Sequence, residues 1–261
     1  MSLLCWICSA TISFWYYTLP LIGFIKFCTI TYDTIFQLFV MKEHNLKKYG
    51  TINKNPAKSN WAMVTGATDG IGWAFCQSLA ARGFNLVMIS RTQKKLDDRA
   101  AEVKKLVAGT KVRTILADFS KSYDLAFYKE IDQAIQDYDI SILVNNVGVC
   151  PKFKFLDTEE NTLNATIINN LPQSILIKKF TDWFEVKSQK LPGQKVGGII
   201  NVSSMAGLTP RMRNPLYIAT KSINNMQSLG LADREWSGYV DMLILTPAYT
   251  QTKMIGYRDI D

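Results

Sequence analysis

"TGATDGIG", Thr65–Gly72, lies between the apolar run Trp61-Ala62-Met63-Val64 and the stretch Trp73-Ala74-Phe75. Three glycines fall within these eight residues, at a turn from a predicted strand into a predicted helix. That is what a phosphate cradle requires. Glycine lets backbone N–H groups approach an anion closely, and the helix N-terminus behind them favours negative charge. The spacing Gly66-x-x-x-Gly70-x-Gly72 is not the G-x-G-x-x-G of the usual dinucleotide turn. Taken alone it leaves two readings open, a nucleotide cradle or simply a tight connection.

The surroundings decide. From about Asn60 the chain alternates short β-like runs with helical stretches. The predicted strands are Trp61–Thr65, Asn85–Ser90, Val112–Ala117, Ser141–Asn145, Gly198–Val202 and Val240–Leu245, with amphipathic stretches such as Lys94–Val107 and Asp124–Tyr138 between them. Near-continuous apolar strands alternating with helices predict a parallel sheet covered on both faces. The expected fold is therefore a Rossmann-type, doubly wound α/β domain. Lys190 to Gly198 reads as a surface loop before the fifth strand. In such a sheet the first strand-to-helix turn is where a pyrophosphate meets a helix N-terminus.

The end of the second strand bears on which nucleotide. An NAD site places Asp or Glu there, about 20 residues on, to hold the ribose hydroxyls. This strand ends Ile89-Ser90-Arg91, with Lys94 and Lys95 following and no acid before Asp97. A carboxylate repels a 2′-phosphate, whereas a guanidinium binds it bidentately. NADP(H) is the expected cofactor, with Arg91 and Lys95 at its phosphate. The competing reading is that Arg91 merely starts a solvated helix.

A chemical motif follows in NVSSMAGLTPRMRNPLYIATK, Asn201–Lys221. Tyr217 and Lys221 are four residues apart and share a helix face. A lysine cation beside a phenol is expected to lower its pKa from about 10 and make it a usable proton donor or acceptor. Ser204 is placed to donate a hydrogen bond to a carbonyl oxygen. The helix follows the fifth strand, where the carboxyl ends of the strands form the binding crevice.

Taken together, these features resemble the short-chain dehydrogenase/reductase family. There a Thr-Gly-x-x-x-Gly-x-Gly turn, an Asn-Asn-x-Gly strand end, a Ser and a Tyr-x-x-x-Lys recur in this order. Here they read Thr65–Gly72, Asn145-Asn146-Val147-Gly148, Ser204 and Tyr217–Lys221, and Ser204 stands 13 residues before Tyr217. The resemblance covers roughly residues 60 to 255. It implies a catalytic set of Asn170, Ser204, Tyr217 and Lys221, with Asn170 on the fourth helix holding a relay water. It also implies cofactor contacts from Thr65, Gly66, Thr68, Asp69, Gly70, Ile71 and Gly72 in the turn, and from Asp118 at the adenine. Further contacts are implied for Asn145, Asn146, Gly148, Tyr217, Lys221, Pro247, Thr250 and Thr252.

Within the family, TGATDGIG, MISRTQKKL, LADFS and ILVNNVG are most similar to membrane-bound 17β-hydroxysteroid dehydrogenases and very-long-chain 3-oxoacyl-CoA reductases of the endoplasmic reticulum. The implied reaction is reduction of a ketone on a lipid-like substrate by NADPH. Two departures stand out. The family's proline-glycine after the sixth strand is Pro247-Ala248 here. The chain also stops at Asp261, where the family continues into a substrate-covering helical segment, a further helix and a seventh strand. Pro172, just after Asn170, removes a helix N–H and is expected to kink the fourth helix or mark a drifted site.

Residues 1–25 contain no charged side chain. That length can cross a bilayer, and no basic region precedes it as a signal peptide requires. Residues 1–41 are read as a hydrophobic membrane anchor, either one tilted span or a hairpin with arms at about 3–19 and 27–41. Residues 42–59 are read as a basic linker and 60–261 as the cofactor-binding domain. Lys42, Lys47, Lys48, Lys54 and Lys58 against Glu43 give the linker +4 within a chain of net charge +8. Lysines just after a span mark its cytosolic side. The expected location is the endoplasmic reticulum membrane with the domain cytosolic, with a mitochondrial membrane as the alternative. No basic stripe interleaved with aromatics supports nucleic-acid binding. Of the five cysteines, Cys5, Cys8 and Cys28 lie in the hydrophobic region, leaving Cys76 and Cys150; this pattern suits neither a disulfide framework nor a metal site. Three functions remain: a lipid ketoreductase, a non-catalytic accessory subunit of a membrane complex using the same fold, or a reductase of retinoids or other apolar carbonyls. Self-association as a homodimer is also open.

Overall fold

The computed structural model of the chain describes residues 60–150, 164–209, 214–232, 238–252 and 254, together with Thr18, Gly23, Phe24, Lys26 and Tyr49. The expected anchor, residues 1–41, lies almost wholly outside the described residues. Among the described residues no helix is long and apolar enough to cross a membrane.

Among the described residues eleven strands and α-helices alternate: β1 (Trp61–Thr65), α1 (Gly70–Ala81), β2 (Asn85–Ser90), α2 (Gln93–Leu106), β3 (Val112–Leu116), α3 (Leu125–Ile135), β4 (Ile140–Asn145), α4 (Asn164–Lys190), β5 (Gly197–Val202), α5 (Pro215–Ala232) and β6 (Val240–Leu245). The strands form one six-stranded sheet in the order β3-β2-β1-β4-β5-β6, and every pairing is parallel. The expected α/β architecture is met, with strand limits within one residue of those read from sequence.

Three helix starts have a local cause. Asp69 caps α1, its carboxylate accepting from Gly70 N–H at 3.0 Å, and Asp124 caps α3 through Ala126 N–H at 2.8 Å. Pro215 opens α5, where its missing N–H costs nothing. Pro172 lies inside α4, which runs through it from Asn164 to Lys190 as one helix. Because α4 continues to Lys190 and β5 begins at Gly197, the expected surface loop shrinks to residues 191–196.

Side chains alternate across a strand, so each face of the sheet has its own filling. On one face Trp61, Met63, Val87, Ile89, Leu143 and Ile199 pack with Tyr128, Ile131 and Ile135 of α3 and Leu176, Ile177, Phe180 and Phe184 of α4. Gly197 is required there, since an added Cβ would lie 2.4 Å from the Phe184 ring. Its neighbour Gly198 faces the other way, and Tyr49 fills the space above it: a Cβ there would lie 2.6 Å from the Tyr49 hydroxyl. That hydroxyl donates to Asp241 Oδ2 at 3.2 Å. Tyr49, which the sequence placed in a linker, is thus packed against β5 and β6.

The order β3-β2-β1-β4-β5-β6 reverses direction between β1 and β4. In open α/β sheets the crevice forms outside the carboxyl ends of the strands at this switch point. Thr65 and Asn145 end the two strands that flank it.

Candidate active site

The glycine turn is built around one amide. Asn146 Nδ2 donates to Thr65 O at 2.9 Å and to Gly66 O at 3.2 Å. A Cβ on Gly66 would lie 2.9 Å from that nitrogen, and one on Gly72 would lie 2.4 Å from it and 2.3 Å from Gly66 O. Gly66 and Gly70 also adopt φ of 65° and 51°, the left-handed region where a side chain is strained. Thr65 fixes the same corner from below. Its hydroxyl donates to Val144 O at 3.2 Å and accepts Asn146 N–H at 2.9 Å and Val147 N–H at 3.1 Å, which uses its full capacity. Thr65 and Asn146 therefore shape the turn by binding one another, and Gly72 by leaving room for the Asn146 amide.

Above the turn lies a groove of about 340 Å³. Of the residues expected to contact a dinucleotide, it is lined by Gly66, Thr68, Asp69, Gly70, Ile71, Arg91, Lys95, Asp118, Asn146, Gly148 and Thr252. Arg91 is exposed at its rim, and Lys95 Nζ is 3.8 Å from Asp69 Oδ2. The lining also includes Ser90, Val147, Val149, Ile168 and Met254, none singled out by the sequence. Thr65, Gly72, Asn145, Tyr217, Lys221, Pro247 and Thr250 do not line it. Asn145 is buried and donates to Asn201 Oδ1 at 2.9 Å; Pro247 accepts Met205 N–H at 3.1 Å through its carbonyl. A glycine-lined groove at the N-terminus of α1, with two cations in its lining, fits a nicotinamide dinucleotide.

Ser204, Tyr217 and Lys221 converge beside this groove. Ser204 sits just past β5 and caps a short 3-10 turn, Met205–Leu208, accepting Ala206 N–H at 3.1 Å. Tyr217 lies in the first turn of α5, within hydrogen-bonding reach of Ser204. Lys221 is one turn further, its Nζ 5.9 Å from the Tyr217 ring centroid and donating to Val202 O at 3.0 Å. A Cβ on Gly148 would lie 3.6 Å from Lys221 Nζ, so the ammonium reaches the groove's wall. Burial lowers the Lys221 pKa to about 8, with the nearby Cys150 opposing the shift. The expectation that Lys221 pulls the Tyr217 phenol down is not met. Burial raises the phenol above its ordinary value, the Ser204 hydrogen bond works against that rise, and Cys150 adds to it. Cys150, half-buried with Asn214 Nδ2 at 3.9 Å from its sulfur, is thus a neighbour of the site that the sequence did not single out.

The asparagine pair divides its work. Asn170 Nδ2 donates to Thr220 O and to Asn224 Oδ1, both at 2.7 Å, tying α4 to α5. Asn169 is the one that reaches the loop after β4. It accepts Val149 N–H at 2.8 Å, donates to Val149 O at 2.9 Å and donates to Thr220 Oγ1 at 3.0 Å. Successive residues differ by about 100° around a helix, so a register ambiguity of one position in "NN" changes which side chain faces the site.

This fold and site define a class. The match to the short chain dehydrogenase family model runs over residues 60–260, and the chain belongs to that family. Among curated relatives, a very-long-chain 3-oxoacyl-CoA reductase of Podospora anserina is 34% identical over 222 residues, covering 84% of this chain and 62% of that protein. "Putative steroid dehydrogenase 1" of Caenorhabditis elegans is 34% identical over 210 residues, 78% of this chain and 64% of that one. The chain thus spans less than two thirds of the length of these two relatives. Among solved structures, a short-chain dehydrogenase from Sphingobium yanoikuyae in complex with NADPH superposes with a TM-score of 0.67 at 28% identity, covering 77% of this chain and 75% of that one.

Proposed function

We propose that this protein is an oxidoreductase that reduces a ketone on a lipid-like substrate, a 3-oxoacyl thioester or a keto-steroid, using NADPH. The observation that carries the reading is the convergence of Ser204, Tyr217 and Lys221 beside a glycine-lined groove, with Lys221 Nζ against Gly148 of its lining. The names of the two curated relatives supply the substrate classes. Arg91 and Lys95 in the groove's lining favour the phosphorylated cofactor.

When bound, the dinucleotide supplies the hydride; everything else falls to the chain. The Ser204 hydroxyl polarises the substrate carbonyl. The raised phenol pKa keeps Tyr217 protonated at neutral pH, so it can donate its proton to the developing alkoxide. Lys221, close to the Gly148 wall, is placed to hold the nicotinamide ribose. Asn169, bound to Val149 and to the Thr220 hydroxyl, positions the α4–α5 side of the site, and Asn170 braces α5 behind it. The uncharged run at residues 1–25 supports placing this activity at a membrane, with the endoplasmic reticulum as the proposed site.

Tyr217→Phe tests the reading, because it keeps the ring while removing only the hydroxyl. NADPH affinity should barely change, and turnover of a 3-oxoacyl-CoA or keto-steroid should fall by roughly 10²–10⁴-fold. Undiminished turnover in the variant, or NADPH binding by the wild type with no ketone reduced across a broad lipid panel, would overturn the proposal.

A further inference from the structure

We infer that Arg99 is a positioning residue for the cofactor: reaching across from α2, it fixes the peptide at the top of the glycine turn in its binding shape. The inference rests on the dinucleotide reading of the groove.

The three residues between Gly66 and Gly70 must be held without glycine's help, and the structure shows how. Ala67 N–H donates to Ile89 O at 3.1 Å. The Thr68 hydroxyl shares a hydrogen bond with Ser90 Oγ at 2.9 Å. Asp69 spends one carboxylate oxygen on Gly70 N–H at 3.0 Å and faces Lys95 with the other at 3.8 Å. The Thr68 carbonyl is held by Arg99, whose Nε donates to it at 3.3 Å.

Arg99 is itself constrained on two further sides. Its guanidinium carbon lies 4.5 Å from the centroid of the Trp73 ring on α1, a cation–π stack. Its Nη1 pairs with Glu102 Oε2 at 2.6 Å. A planar guanidinium sandwiched in this way has lost its freedom before any ligand arrives, so its bond to Thr68 costs little further ordering. The Thr68 carbonyl and Asp69 N–H belong to one rigid trans peptide, so fixing one atom fixes the other. Thr68, Asp69 and Gly70 all line the groove. Lys95 and Arg99 stand four residues apart on α2 and so share a face. One helix thereby serves the turn from two points: Lys95 faces Asp69 from the groove side and Arg99 holds the Thr68 carbonyl behind it.

The test is fluorescence titration of the full chain with NADPH and with NADH, beside steady-state kinetics and urea unfolding of each variant. Arg99→Ala should weaken NADPH binding about tenfold and raise KM for NADPH to match, with kcat at saturating NADPH within twofold of wild type. Arg99→Lys keeps the charge but not the planar stack, and should recover part of the loss. Trp73→Leu, which removes the stacking surface alone, should weaken binding about threefold. If Arg99→Ala folds poorly, Arg99→Lys and Trp73→Leu carry the test. Variants that bind NADPH like the wild type, or a kcat that falls while KM stays fixed, overturn the inference. A wild type that binds neither nucleotide brings down the dinucleotide reading itself, an outcome distinct from a wild type that binds and variants that bind equally well.

Discussion

Replacing Gly207 by Ala should disable the site while leaving the cofactor groove intact. Gly207 is buried in the 3-10 turn that carries Ser204, and an added Cβ would lie 2.5 Å from the Lys221 carbonyl carbon and 2.7 Å from Lys221 O and Ser222 N. All three are backbone atoms of α5, so no side-chain rotation relieves the clash. Ordinary contact begins near 3.4 Å, which leaves a shortfall of about 0.9 Å. The turn cannot slide aside freely. Ser203 Oγ donates to Lys221 O at 3.0 Å, Ser222 Oγ to Gly207 O at 2.9 Å and Asn225 Nδ2 to Ser204 O at 3.5 Å. The displacement must therefore be shared between Ser204 and the helix bearing Tyr217 and Lys221. A misplacement of about 1 Å between reacting groups costs on the order of 10²-fold in rate, and overpacking costs about 1–3 kcal/mol in stability. Single-turnover ketone reduction at saturating NADPH should fall by that factor. NADPH affinity should fall far less than turnover, because Gly207 does not line the groove and only Lys221, at its edge, moves with the clash. A folded Gly207→Ala protein whose turnover lies within twofold of wild type would refute the reasoning.

Arg91→Ala should narrow the preference for NADPH over NADH in paired titrations; a wild type that binds both equally would count against the phosphate assignment. Lys187 and Asp139 form a fully buried pair at 2.7 Å, with Lys187 Nζ also donating to Ser141 Oγ at 3.2 Å. Lys187→Ala strands the carboxylate and should lower unfolding free energy by about 3–5 kcal/mol, whereas Lys187→Met with Asp139→Leu should recover most of it; urea denaturation reads both. Lys221 gives stability a pH signature. Folded, it releases its proton near pH 8; unfolded, near 10.4. Between those values the unfolded chain binds more protons, so stability contributed by this group rises with pH, at up to about 1.4 kcal/mol per unit. Wild type minus Lys221→Met unfolding free energies, measured between pH 7.5 and 10, should climb; a flat or falling difference excludes the assigned shift.

The sheet was legible because most strands are short, largely apolar runs bounded by turn signals, and β1, β2 and β4 are buried almost throughout. The glycine spacing was legible because Gly66 and Gly72 flank a side chain, Asn146, that the same motif vocabulary names. What escaped was whatever depends on helix rotation or on contacts between elements. Asn169 and Asn170 differ by a single register step. Arg99 looks like any cation on a solvated helix until Trp73 and the Thr68 carbonyl are seen beside it. Ile168 and Met254 reach the groove from segments about 86 residues apart in sequence, and no local pattern marks them.

Helix α5 shows most clearly why hydrophobic periodicity fails here. Its buried residues are Thr220, Lys221, Asn224, Asn225 and Ser228, while Ile223, Met226 and Leu229 are more than half exposed. Reading apolar residues as the inward stripe would therefore bury the wrong face. The polar face has its counterpart in the sheet and in α4. Asn145 donates to Asn201, Asn201 to the Ser228 hydroxyl at 3.0 Å, Ser228 to Asn224 O at 2.7 Å and Asn224 to Asn169 O at 3.0 Å. The ladder thus joins the ends of β4 and β5 to both helices. Each unmatched oxygen in such an interior costs about 1–3 kcal/mol, and those of Asn145, Asn170 and Asn225 have no hydrogen-bond partner among the described residues. An apolar filling would cost less but would tolerate rotation and sliding of α5. Directional hydrogen bonds accept one register only, and that register is the one that sets Tyr217 and Lys221 against Ser204. The interior gives up stability at the place where the proposed chemistry demands fixed geometry.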